Sequence, residues 1–165
     1  GAGGIMGNVR SQIAAIWLMM ISAGAGQAAC APDTVELRGP SGVQRFSVEV
    51  ADTAATRSKG LMLRKHMPSS SGMLFVYPDP THAVFWMKNT LIPLDMIFAD
   101  ASGLVTHVHS DAIVEDETPI DGGRDVKFVL EINAGLAKRL GISAGAQMRS
   151  DQIEKTSAIW SCSVE

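Results

Sequence analysis

Short apolar runs broken at close intervals by turn residues constrain this chain most. Arg45 to Ala51 alternates strictly, with Phe46, Val48 and Val50 on one face and Ser47 and Glu49 on the other. A period of two is the mark of a half-buried strand. Thr34 to Arg38 lies between Pro32 and Gly39-Pro40, and Met73 to Tyr77 between Gly72 and Pro78, so both read as strands. Ala83 to Met87, Leu94 to Phe98, Leu104 to Ser110 and Val126 to Ile132 extend the series. Asp100-Ala101-Ser102-Gly103 supplies hairpin turn chemistry, and a last strand is expected near Gln147. Asp52 or Thr53 offers an N-cap for a helix through about Lys65, interrupted at Gly60, where close packing against another element is expected. Gly135 to Leu140 forms a second short helix ended by Gly141. The expected fold class is mainly β, a sandwich- or barrel-like antiparallel sheet with two short helices.

The ends bound the domain. Arg10 precedes an apolar run, Ile13 to Ile21, and small residues from Ser22 to Ala29. A positive end, a short apolar stretch and small residues at the cut make a secretory signal peptide. Met6 reads as the start and residues 1–5 as tag or upstream read-through; cleavage follows Ala25 or Ala28. The division expected is 1–28 signal peptide, 29–42 N-terminal extension, 43–150 one β-rich domain and 151–165 C-terminal tail. Loss of Arg10 takes the net charge from −3 to −4, and no basic run is present. Nucleic acid is therefore not an expected partner. The expected location is the periplasm or the medium. There Cys30 and Cys162 can close a disulfide between the two ends. The alternative is a lipid on Cys30, the one route by which a membrane would be a partner.

Three segments carry a family resemblance. They are Gly60-Leu61-Met62-Leu63-Arg64 with Gly72-Met73-Leu74-Phe75, then Phe85-Trp86-Met87-Lys88-Asn89-Thr90 through Pro93-Leu94-Asp95, and Val129-Leu130-Glu131-Ile132-Asn133-Ala134-Gly135. In order and wording they resemble the domain of unknown function 192 family, over roughly Arg45 to Met148. The resemblance implies a mostly β, sandwich-like fold and frequent export. It implies no reaction. His107 and His109 stand where relatives are expected to carry aliphatic or small residues.

Strand alternation around the middle segment gives the candidate site. If Phe85 and Met87 enter the core, Trp86 and Lys88 project outward; if Leu94, Met96 and Phe98 enter it, Asp95 projects outward with Ile97. Pairing of those strands would gather Trp86, Lys88 and Asp95 on one face, with Asn89 and Thr90 at the turn, as a pocket wall of mixed polarity. The bland alternative makes Asn89 a turn cap and Lys88–Asp95 a surface ion pair. Glu131 sits between Leu130 and Ile132 and needs solvent or a partner. Arg64 is the candidate partner, through a bidentate guanidinium–carboxylate pair, and both residues are kept as ligand-binding candidates.

Other chemistry is thinly represented. His107 and His109 share a strand face and are the metal candidates; with His66, His82 and the methionines they raise a copper reading. Met62, Met73, Met87 and Met96, however, fall at core positions. Asp111, Glu115, Asp116, Glu117 and Asp121 lack the calcium-loop spacing and read as a solvated acidic loop. Residues 29–165 contain no His-Glu-x-x-His. No cofactor is expected. The leading functional expectation is an exported small-ligand-binding or accessory domain, with a sugar or peptide-like ligand. One alternative is a hydrolase or lyase using Asp95 or Glu131 as general base; another is a structural or partner-binding module.

Overall fold

The computed structural model describes residues 30–162, so the expected signal peptide lies outside the described residues. The chain runs β1 (Thr34–Gly39), β2 (Gly42–Ala51), α1 (Ala54–Lys59), β3 (Ser71–Phe85), β4 (Leu94–Ala99), β5 (Val105–Ala112), β6 (Ile120–Asn133), α2 (Leu136–Leu140) and β7 (Gln147–Arg149). It is mainly β, and among the described residues seven strands form one curled sheet, a half-barrel, in the order β5-β4-β6-β3-β2-β1-β7. At one corner the sheet's two ends touch, where Leu104 bridges Gln147 and the Val105 N–H donates to the Ala146 carbonyl.

The expected antiparallel sheet is in fact mixed. β2 and β3 run parallel, Ser47 opposite Ser71 through Ala51 opposite Phe75. The reason is the connection: α1 carries the chain back between them, and only a crossover of this kind lets consecutive strands point the same way. Thr53 caps α1 through a reciprocal capping box with Thr56. The helix stops at Lys59, short of the expected Lys65, because Gly60 takes φ +48° and ends it. A Cβ at Gly60 would stand 3.2 Å from the Phe75 ring, so close packing is the reason for glycine there.

The sheet buries apolar side chains on both faces. One core fills the curl: Leu37, Phe46, Leu74, Ile97, Phe128 and Leu130 pack with Leu136 and Ala137 of α2. The other covers the opposite face: Met73, Phe75, Met87, Met96, Phe98 and Val129 pack under the 61–67 and 87–92 segments. All six residues of β4 are buried as a result, as befits a strand covered on both sides.

Both ends of the described segment join the domain. Val35 and Leu37 are core residues, so 34–39 is an integral strand rather than part of an extension. The segment after β7 is also held: Ile153 enters the core, and Trp160 lies between the Arg38 and Arg149 guanidiniums, 4.4 and 4.1 Å from its ring. Glu36 accepts from Arg149 at 3.1 Å beneath that stack. A disulfide joins Cys30 to Cys162. A lipid on Cys30 would need the same sulfur.

Candidate functional site

The candidate residues divide between the two faces of the sheet. Asp95 does not project outward. It is 0% exposed, and its two carboxylate oxygens accept from the Asp111 and Ala137 backbone N–H groups, each at 2.9 Å. It shares its face with Ile97 and the α2 core, whereas Met87 and the segment after it cover the other face. The expected wall of Trp86, Lys88 and Asp95 therefore does not form. Both faces of β4 are covered, so alternation there separates two interiors instead of an inside from an outside. Asp95 ties the start of α2 to the kink at Asp111, where φ is +57°. Asp95→Ala is expected to lower unfolding stability by about 3 kcal/mol, because two N–H groups, that of Ala137 buried and that of Asp111 partly so, lose their carboxyl acceptor. Urea denaturation measures this, and a loss within ~0.5 kcal/mol would show the carboxylate to be dispensable.

Arg64 does not reach Glu131. It pairs with Glu49 of β2 and lines a polar groove of about 470 Å³ with His66, Met67 and Pro68. Because α1 ends early, Arg64 sits just past the following turn and reaches Glu49 of β2.

Trp86, Thr90 and Glu131 do come together. β-Pairing sets Glu131 opposite Met73 of β3 and Met96 of β4, so its carboxyl rises between two buried methionines. It faces a recess of about 40 Å³ bounded by the turn from Arg57 to Met62, by Phe75, and by Trp86 and Thr90. Glu131 is only 4% exposed. Its carboxyl makes no hydrogen bond or ion pair with any described residue. Burial in these apolar surroundings pushes its carboxyl up to about 8, so it is protonated at neutral pH. The Thr90 hydroxyl donates to the Lys88 carbonyl and fixes the turn.

The recess opens beside the indole. Trp86 is 47% exposed. Lys88 places its Nζ 5.0 Å from the ring centroid and 3.7 Å from Glu117. A second groove of about 320 Å³ runs along Trp86, Val84, Phe85 and Tyr77, and shares Arg57 and Ser58 with the recess. Arg57 donates to the Asp52 and Val76 carbonyls and lies 5.2 Å over the Tyr77 ring. Burial raises the Tyr77 phenol, against the opposing pull of Arg57. Asn89, at φ +53°, is the left-handed residue of the turn and accepts from the Leu63 N–H through its carbonyl.

The remaining candidates stay apart from this recess. His107 stacks on Phe98, centroids 5.7 Å apart, and no three His, Cys, Asp or Glu side chains among the described residues converge for a metal. In the acidic loop, Asp116 is held low by Thr118, and Asp121 by the Gly123 N–H and then by His82. Arg57, Lys59 and Tyr77 were not among the sequence candidates; the close-packed Gly60 was the one local signal that the α1 turn meets the sheet.

The family model described as "Uncharacterized ACR", domain of unknown function 192, covers residues 35–150, and the chain belongs to that family. A Novosphingobium aromaticivorans protein of unknown function has a similar solved structure, with 43% identity, 70% of this chain and 82% of that one covered, and a TM-score of 0.69. A Sinorhizobium meliloti protein, whose description proposes a transcription regulator, is similar at 39% identity, covering 74% of this chain and 96% of that one, with a TM-score of 0.69. No functionally curated protein matches the chain.

Proposed function

We propose that this chain is an exported small-ligand-binding domain whose site is the recess between the α1 turn and the sheet, extended along Trp86. One observation carries the reading: a carboxyl buried without a partner faces an opening that an aromatic ring borders. Folding gains nothing from leaving such a group unsatisfied, and a ligand that pairs with it recovers the loss. The groove beside Trp86 gives that ligand an apolar wall with polar groups at one end, the usual composition of a small-molecule site. The sugar or peptide-like class follows from the same mix.

Export draws support from the Cys30–Cys162 bond, since disulfides persist in oxidising compartments. The same bond favours a released domain over a lipid anchor at Cys30. Acid–base catalysis is the weaker reading, because Glu131 is the one carboxyl in the recess. A regulator that binds DNA would draw on a basic face, whereas this chain has a net charge of −3.

Thermal melting across a library of glycans and short peptides tests the proposal. At saturating ligand, at least one class should raise the melting temperature by several degrees, as expected when ligand exceeds its Kd by about a hundredfold. Trp86→Ala should lose most of that rise. Identical melting of both proteins with every ligand would remove the reading.

A further inference from the structure

Resting on that binding site, we infer that the recess takes the primary ammonium group of a slim ligand, held at the Glu131 carboxylate beside the Trp86 indole. Size is the first reason. A recess of about 40 Å³ admits an ammonium and the carbon that bears it, but not a sugar ring. Chemistry is the second. The floor offers one carboxyl, 4% exposed and without a partner, between Met73 and Met96. A buried carboxyl is best satisfied by a cation that also brings three N–H donors.

Trp86 is the third reason. Its ring already holds the Lys88 ammonium at 5.0 Å, so the indole is placed where it attracts cations. The wider groove along Val84, Phe85 and Tyr77 then receives the ligand's stem. Arg57 and Lys59 of α1 and Tyr77 of β3 are the other titratable groups around the recess. Arg57 is committed to two carbonyls and to the Tyr77 ring. Lys59 is exposed, where solvent screens it. Neither side chain satisfies Glu131.

The binding step is balanced in protons. Free Glu131 carries its proton at neutral pH; ammonium binding leaves it ionised, and that proton passes to solvent. Because the carboxyl sits near 8 when empty, affinity should rise about tenfold per pH unit up to that point and then level off. An anion or a neutral amide would leave the carboxyl protonated and release no proton.

Calorimetric titration of the full chain with n-butylamine at pH 6, 7 and 8, in two buffers of different ionisation enthalpy, reads both quantities. Triglycine amide and its N-acetylated form are added at pH 7 to separate a side-chain-like amine from a peptide N-terminus. The expected result is tightening of roughly tenfold per pH unit and release of close to one proton at pH 7. Glu131→Gln, checked for an unchanged fold by circular dichroism, should lose the pH dependence and most of the affinity. Binding that is flat with pH, or equal in wild type and Glu131→Gln, overturns the inference. If only acetylated peptide or sugar binds, in a Trp86-dependent way, the ammonium assignment fails and the binding site stands. If nothing in the titration or in the melting library binds, both fail.

Discussion

Raising the pH from about 5 to about 8 is expected to weaken the folded state of the wild-type protein far more than that of Glu131→Gln. The Glu131 carboxyl moves from 4.5 to about 8 on folding because burial between Met73 and Met96 disfavours its charged form. Between those two values the folded chain holds a proton that the unfolded chain has released. Stability must then fall as pH rises through the window, by about 1.4 kcal/mol per pH unit. It is full below 4.5 and bottoms out above 8. Over the whole window the loss is roughly 5 kcal/mol, an order-of-magnitude figure for one buried group. Glutamine carries no charge to lose, so the difference between the two denaturation series isolates this side chain from every other titrating group. Parallel series would mean that Glu131 ionises as freely in the folded protein as in the unfolded one.

The second large effect is covalent. Replacing Cys30 and Cys162 by serine, or reducing the bond, is expected to lower stability by up to roughly 5 kcal/mol in the chain-entropy model. The size follows from the sequence separation of 132 residues, since a longer closed loop restricts the unfolded chain more. The native contacts at the same place do not replace the bond. Trp160 between Arg38 and Arg149 secures the last turn, but as cation–π contacts near the surface each is worth only about 0.5–1 kcal/mol. Urea unfolding of oxidised and reduced protein, with the double serine variant as control, gives the number. A difference below ~1 kcal/mol would mean that the unfolded chain stays compact without the bond.

How far the sequence could be read depended on which physical effect placed each residue. Strands with one covered face announced themselves: Phe46 and Val48 are buried where alternation put them, with Ser47 and Glu49 turned away. β4 did not, because a core lies on each side of it. Alternation in Leu94–Ala99 still assigns residues to faces, but it no longer says which face meets water. Asp95 was misplaced for that reason. Its partners, the N–H groups of Asp111 and Ala137, lie 16 and 42 residues away and carry no side-chain signal at all. Arg64 paired with Glu49 instead of Glu131 because α1 ended six residues early, and Gly60 alone decides that. Glu131 itself was legible as an acid in an apolar strand. Its lack of a partner was not, since that depends on what the α1 turn leaves open.

The Cα atoms of Cys30 and Cys162 stand 5.2 Å apart. The described chain is thus nearly a ring, and a linker of about two residues would span the gap in a circular permutant opened at the exposed Pro40-Ser41 turn. Mechanically the same closeness matters more. Whatever precedes residue 30 and whatever follows residue 162 pull on one sulfur–sulfur bond, so tension between them bypasses the strands and leaves the half-barrel unloaded.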